Sequence, residues 1–397
     1  MAVNGEAVLV GFAEAMAAIE ATWSLQEAGF RVVAFTRGGA KPALRRVRGV
    51  ELHRIAAPED DVHAAAADLH SLVETTGATA YLPLDDASVW LAGELGGPEI
   101  TIAGPTGRQV ELALDKTLQL EAAREAGLPV PETEVVQSPD DVAPVSYPVV
   151  VKPSRALYEV DGRLVRPTGS AVANEDELAR VREKAWYPPL VVQPLIRGTG
   201  EGLFGHVTKD GVVAWSTHRR VRMLNPEGSA SSACESHPVD ESLTGPAERF
   251  LTGIGWRGLF MLEFLRDDDG RPWLMELNGR AWGSLALARR RGYEYPAWSV
   301  RAALDESFVP QPPENPPDVL CRNIGLELVH LAFVARGPQS ASLTNWPRVW
   351  PTIRNLVKIS RRDRLYNWKR SQPRVLLADT LQTLRQYVGR ARGSGRR

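Results

Sequence analysis

Two apolar runs, residues 259–265 and 272–277, bracket the turn Asp267-Asp268-Asp269-Gly270, and no other feature restricts the fold of this chain as much. Runs of that length joined by turn-forming residues predict an antiparallel strand pair. Alternation puts Glu276 and Asn278 on one face, and pairing brings Glu263 alongside. Hard oxygen donors gathered in this way suit magnesium, which takes a few protein oxygens and completes its octahedron with phosphate oxygens. Arg280, two residues past Asn278, is placed to meet a transferring phosphoryl group. Read alone, the motif also fits a solvated hairpin whose acids only keep it soluble.

Residues upstream narrow the choice. Lys152 ends the apolar stretch Tyr147-Pro148-Val149-Val150-Val151-Lys152-Pro153, and Lys116 opens the helical pattern DKTLQLEAAREAGLPVPET. One lysine at a strand end is ordinarily a snorkelling surface residue. Two of them, followed by a carboxylate pair and an asparagine, make a combination. With LDKTLQLEAAREAGLPVPET, YPVVVKPS, LVVQPLIRGTGEG, HRRVR and MLEFLRDDDGRPWLMELNGRAWGSLALA in that order, the chain resembles the ATP-grasp superfamily over roughly residues 105–300.

The resemblance implies a mixed α/β and α+β chain in which two α+β lobes clamp ATP behind a small Rossmann-like domain, with a helical C-terminal extension. It implies Glu263, Glu276 and Asn278 as ligands to Mg2+, with Mn2+ as a substitute, and Lys116 and Lys152 as contacts to ATP. Gln193 and Leu195 fall on the connector whose backbone meets the adenine edge, and Glu201 falls where an acid meets the ribose. Gly169 and Ser170 lie in the hairpin that covers the phosphates, within SRALYEVDGRLVRPTGSAVAN, a span poorer in glycine than the family pattern. Its Asp161-Gly162 pair predicts a hairpin turn. Arg280 and Arg220 correspond to the arginines that stabilise transferred charge and hold the acceptor.

The implied reaction joins a small-molecule carboxylate to an amine: the carboxylate attacks the γ-phosphate, ADP leaves an acyl phosphate, and the amine displaces phosphate. Two other readings stand beside it. Carboxyphosphate chemistry belongs to carboxylase and carbamoyl-phosphate synthase relatives, and a catalytically idle ATP-binding scaffold would have no use for Glu263, Glu276, Asn278 and Arg280 together. No protein nucleophile is required, so His206, His218 and His237 are read as structural or solvent-facing. On the strand holding HRRVR, alternation turns Arg220 and Arg222 to one face and Arg219 to the other. Glu235 is read as orienting an arginine, and Gly228–Ser232 as a flexible substrate loop.

The N-terminal third has βαβ rhythm: a buried strand over 7–12, an alanine-rich helix over 14–28 stopped by Gly29, and a strand over 30–35. It lacks GxGxxG, so no nicotinamide or flavin is assigned to it. Asp85 and Asp86 follow a parallel strand, where open α/β sheets place ligands, but helix capping is the expected job of at least Asp86. The resulting domains are 1–105, 106–190, 191–308, the proline-rich linker 309–317 and a basic helical region 318–397 with a disordered end.

The net charge of −1 conceals an asymmetry, because residues 355–397 hold twelve Lys or Arg against two Asp, +10, which leaves −11 elsewhere. Complementing the acidic body of the same protein is the first reading of this segment, since Leu377, Leu381, Leu384 and Val388 keep helical spacing that suggests packing. A peripheral membrane surface or an acidic partner comes next, and no nucleic acid is expected, because neither zinc spacing nor an aromatic-basic sheet pattern is present. Cys234 and Cys321 read as reduced thiols of a cytoplasmic protein. The sequence shows no charged leader with an apolar core and no apolar run long enough to span a bilayer.

Overall fold

A computed structural model of the chain describes residues 5–95, 100–143, 146–184, 186–226, 230–338 and 346–393. Gly228 and Ser229 of the expected substrate loop, and the residues after 393, lie outside it. Five parallel strands, β1 (Ala7–Gly11), β2 (Arg31–Arg37), β3 (Val50–Ile55), β4 (Ala78–Pro83) and β5 (Thr101–Ile102), form the first sheet in the order β3-β2-β1-β4-β5. β1 is apolar throughout because both its faces are covered. Ala7 and Leu9 enter a cluster with the helix Val62–Thr76. Val8 and Val10 enter another with Trp23 and with Phe204, Met261, Trp282 and Tyr295 from the far end of the chain. The first domain therefore shares its core with the third. The helix expected from residue 14 starts at Ala18, because the chain first turns across the ring of Phe35, so closely that a Cβ on Gly11 would lie 1.8 Å from it.

The second unit contains β6 (Glu134–Val136), β7 (Val149–Pro153), the hairpin β8 (Tyr158–Val160) and β9 (Arg163–Val165), β10 (Ser170–Val172) and β11 (Leu190–Pro194). Four of these make an antiparallel sheet in the order β10-β7-β11-β6. Asp161 and Gly162 both take positive φ, 50° and 72°, which gives the β8–β9 hairpin the turn expected of an Asp-Gly pair. The hairpin is moored to the first domain: Leu157 and Leu164 join its core, and the Val62 amide donates to the Gly162 carbonyl.

The third unit is a seven-stranded sheet of β12 (Thr199–Thr208), β13 (Gly211–Met223), β14 (Ser231–Ser236), β15 (Gly258–Arg266), β16 (Pro272–Asn278), β17 (Leu320–Arg322) and β18 (Asp363–Leu365). Its order is β16-β15-β12-β13-β14-β17-β18. The acidic turn closes β15 on β16, with the Asp267 amide donating to Arg271 and the Gly270 amide to Asp267. One face of the sheet, with Leu203, Leu262, Phe264 and Leu274, packs under the helix Glu241–Gly253. The other carries the polar residues of the site.

Past the proline-rich segment the chain is helical over Ile324–Arg336, Val349–Val357 and Pro373–Gly393, but it also returns to the sheet through β17 and β18. The helix expected around Leu377 is present with its packed face turned: Leu384 is half-buried against the cluster of Leu224, Leu326 and Val329 as expected, but Leu377 and Leu381 are exposed, and Val375 and Thr383 are buried. The reason is close packing, since a Cβ on Gly325 would sit 2.9 Å from that of Thr383, a contact with no room for leucine. Part of the basic charge meets the body of the protein, through Lys369 with Glu27 and Arg362 with Glu235. Arg289, in the last turn of the helix Leu285–Arg290, is buried among Glu20, Glu27 and Glu294. Cys234 and Cys321, distant in sequence, are register partners on adjacent strands and are free thiols. No described helix is long and apolar enough to cross a membrane.

Candidate active site

The register of β15 and β16 sets Glu263 opposite Glu276 and Met261 opposite Asn278, which groups the three oxygen-bearing side chains on the β15–β16 pair. The Asn278 amide donates to Glu276 Oε1 at 3.3 Å. Burial pushes the Glu263 carboxyl above its ordinary range, the neighbouring Glu276 adds to the rise, and Arg220 opposes it. Two close carboxylates, one of them desolvated, form a donor set that a hard cation would relieve. Among the described residues no group of three or more His, Cys, Asp or Glu gathers as a metal site, so any cation here would draw further oxygens from a ligand.

β12 makes the room. Gly200 and Gly202 face the same side as the acids: a Cβ on Gly200 would lie 2.4 Å from the Arg220 side chain, and one on Gly202 would lie 2.9 Å from His218 Nε2. Arg220 crosses over Gly200 and reaches Glu263 at 2.7 Å. His218 is buried, takes part in a 2.7 Å hydrogen bond with Ser284 and packs edge-on against Phe204. Burial, aided by Arg220, holds its pKa well below the ordinary value, so it is a neutral structural ring. Arg219, on the opposite face, pairs with Glu235 at 2.7 Å. A bulge after Arg220 sends Arg222 to Glu327 in the C-terminal region.

The two lysines come from the front. Asp115 caps the helix Lys116–Glu125, and that helix is clipped to β16 by Gln119, whose Oε1 accepts the Leu277 amide at 2.9 Å and whose Nε2 donates to the Leu277 carbonyl at 3.2 Å. Lys116 Nζ consequently stands 3.8 Å from Glu276. Lys152, at the end of β7, is brought down to about 8 by burial and by Lys116, against the pull of Glu276 and Glu263. That set of neighbours places both lysines and both acids in one electrostatic environment. Gly169 lies flush on this strand, since a Cβ there would be 2.7 Å from that of Lys152. Ser170 begins β10 and accepts a hydrogen bond from Lys184 at 3.0 Å.

Arg280 completes the group from an unexpected direction. Its Nε donates to Asp86 at 2.9 Å, and Asp86 also pairs with Arg166, just beyond the moored hairpin. Burial raises the Asp86 carboxyl, but Arg280 and Arg166 outweigh it and leave it at about 2. The expected division of labour is thus reversed, for Asp85 is the residue that caps the helix, in a capping box with Ser88, and Asp86 holds the arginine. Sequence alone did not reveal that pair, nor the Gln119 clip. A glutamine three residues into a helix after a lysine carries no signal of the strand it will meet.

Three sequence-predicted residues are not gathered with these. Glu201 projects to the other face of β12 and binds Arg266 at 2.9 Å, in a network with Asp240. Gln193 donates to Thr133 at 2.8 Å, and the Leu195 amide donates to the Pro148 carbonyl at 2.9 Å. Gln193 lies on β11 and Leu195 directly after it, with the Leu195 amide already engaged.

No family model matches the chain, and no curated protein does either. Solved structures do. An L-amino acid ligase from Bacillus licheniformis superposes with a TM-score of 0.59 at 17% identity, over 77% of this chain and 75% of that one. The chain has the ATP-grasp fold. The biotin carboxylase domain of the Hydrogenobacter thermophilus 2-oxoglutarate carboxylase, solved with MgADP, ADP and bicarbonate, gives 0.62 at 19% identity over 77% of this chain and 71% of that one. N5-carboxyaminoimidazole ribonucleotide synthetase as an ADP complex gives 0.61 at 13% identity over 89% and 96%. At these identities the likeness is one of ATP-grasp architecture, and the chemistry of this chain rests on its own residues.

Proposed function

We propose that this protein is an ATP-dependent ligase that activates a small-molecule carboxylate as an acyl phosphate and passes the acyl group to an amine, releasing ADP and phosphate. The observation that carries the reading is the convergence of Lys116, from a helix, and Lys152, from β7, with Glu263 and Glu276 of the β15–β16 pair. The lysines neutralise phosphate oxygens of ATP. Glu263, Glu276 and Asn278 hold Mg2+, which when bound supplies charge neutralisation at the terminal phosphates. Arg280, fixed by Asp86, faces the charge that develops on the transferred phosphoryl group, and Arg220 stabilises Glu263 beside the acceptor.

Support for ATP and magnesium also comes from two structural neighbours, one solved with MgADP and one with ADP. The neighbour solved with bicarbonate supports a second reading, carboxyphosphate formation. One assay separates the two: ADP release on mixing ATP and Mg2+ with carboxylate and amine pools, against bicarbonate alone. The ligase reading expects release only when a carboxylate is present and an amide product by mass. Release driven by bicarbonate alone would establish the carboxylase reading, and tight ATP binding with no turnover under any pairing would leave a scaffold. In the C-terminal region, Trp350, Val357 and Ile359 stay exposed near Arg354 and Lys358, the strip that a membrane surface or acidic partner would meet.

A further inference from the structure

The helix Val349–Val357 is held to the protein chiefly through backbone groups, and its apolar side chains are left outside. Arg322, buried on β17 and paired with Glu327 and Asp363, donates to the Leu356 carbonyl and, at 3.2 Å, to that of Lys358. Ahead of the helix, Trp346 Nε1 donates to the Val334 carbonyl at 3.1 Å. The residue buried on the inner side is Thr352. Trp350, by contrast, is 80% exposed and Val357 69%, and Ile359, just past the helix end, is 80% exposed. No other large apolar side chain among the described residues is as exposed as these three, and all fall in one short segment. With about 100° between successive residues, Trp350, the half-buried Ile353 and Val357 lie within about 60° of one another, and Arg354 stands about 40° beyond Trp350. The outer side is therefore an apolar stripe with a cationic border.

The charge around the stripe has one sign. Residues 346–362 contain Arg348, Arg354, Lys358, Arg361 and Arg362 and no Asp or Glu. Arg362 meets Glu235 at 3.7 Å. Arg348, Arg354, Lys358 and Arg361 are exposed and form no ion pair among the described residues. A basic face alone would be a solvated surface, and an apolar stripe alone would suit many partners. Together they match an interface that is negative at its surface and apolar a few ångström below, the layering of a bilayer with acidic phospholipids. Tryptophan favours the headgroup level of such an interface. A protein partner would need an acidic rim around an apolar groove shaped to this one stripe, whereas a fluid bilayer offers both layers without such matching.

We propose that residues 346–362 are a peripheral membrane anchor that lies flat on bilayers carrying anionic phospholipids, with Trp350, Val357 and Ile359 inserted among the headgroups and Arg348, Arg354, Lys358 and Arg361 on lipid phosphates. The contact is superficial and reversible, because a helix of 9 residues is far short of a bilayer span.

The test is flotation of the full chain with vesicles of phosphatidylcholine alone and with about a third phosphatidylserine. Partitioning onto the anionic vesicles should exceed that onto neutral ones by about tenfold or more and should fall steeply in about 0.5 M salt. Trp350→Ser with Ile359→Ser and, separately, Arg354→Gln with Lys358→Gln should each lower partitioning onto the anionic vesicles by about tenfold or more. All four side chains are exposed, so ADP affinity should be unchanged and reports that the variants fold. Should a variant lose ADP binding, the wild-type ratio and its salt dependence decide alone. Equal partitioning onto both kinds of vesicle, or onto neither, would overturn the proposal. So would a serine variant that floats as well as the wild type, which would leave mere charge adhesion. A chain that ignores vesicles but dimerises in sedimentation, and becomes monomeric with the serine changes, would assign the stripe to a second copy instead. None of these outcomes bears on the ligase reading, which ADP release tests separately.

Discussion

Nucleotide binding should draw a proton onto Lys152. In the free protein, burial and the charge of Lys116 bring this ammonium to about 8 from an ordinary 10.5. The folded pKa of a base lies below its unfolded value, so the charged form is penalised: the stability that Lys152 contributes is present above pH 10.5 and is lost as pH falls through about 8. A polyphosphate bound beside Lys152 supplies the missing negative charge and returns the group toward its ordinary value. The gap corresponds to about 3 kcal/mol, the ceiling on coupling between protonation and binding. At pH 8 about half a proton should be taken up per ADP bound, and above that pH affinity should fall by up to about tenfold per pH unit. Calorimetry in two buffers of different ionisation enthalpy reads the uptake directly. Lys152→Met should remove both the uptake and the slope. An affinity that is flat from pH 7 to 9.5, with no buffer dependence in the wild type, would refute the shared environment of Lys152, Lys116, Glu263 and Glu276.

Asp86→Asn removes the charge that fixes Arg280, so kcat should fall by about tenfold or more with the KM for ATP little changed, and stability should drop by about 3 kcal/mol in denaturant melts; an unaltered kcat would free Arg280 from that dependence. Gly169→Ala drives a Cβ to 2.7 Å from that of Lys152 and should weaken ADP binding by about tenfold in the same titration. Glu201→Gln breaks the pair with Arg266 on the far face of β12, so melting should occur at lower denaturant while the ADP dissociation constant changes less than about twofold. A tenfold loss in that variant would return Glu201 to the nucleotide.

The parts of this site that could be read from the sequence are those set by local periodicity. Alternation and an Asp-Gly turn suffice to place Glu263, Glu276 and Asn278 together, and the same logic gives the turn at Asp161-Gly162. Opposed faces of one strand separate Arg219 from Arg220 as expected. Glu201 was harder, because its facing depends on the register of β12 against β15, which sets Gly202 and not Glu201 opposite Glu263. The Asp86–Arg280 pair joins residues 194 apart, and nothing local distinguishes Asp86 from Asp85 as the cap. The C-terminal helix shows the same limit: its leucines are the conspicuous apolar residues, yet the contact at Gly325 selects Thr383 by size, and Val375 enters the core of the first sheet.

On the proposed reading, Lys116 and Lys152 serve one nucleotide together with the metal held by Glu263, Glu276 and Asn278. The decisive experiment titrates ATP in Mg2+ and again in EDTA, for the wild type and for Glu276→Gln. Mg2+ should tighten binding to the wild type, and Glu276→Gln should lose this tightening while still binding metal-free ATP. A magnesium effect of equal size in both proteins would contradict it.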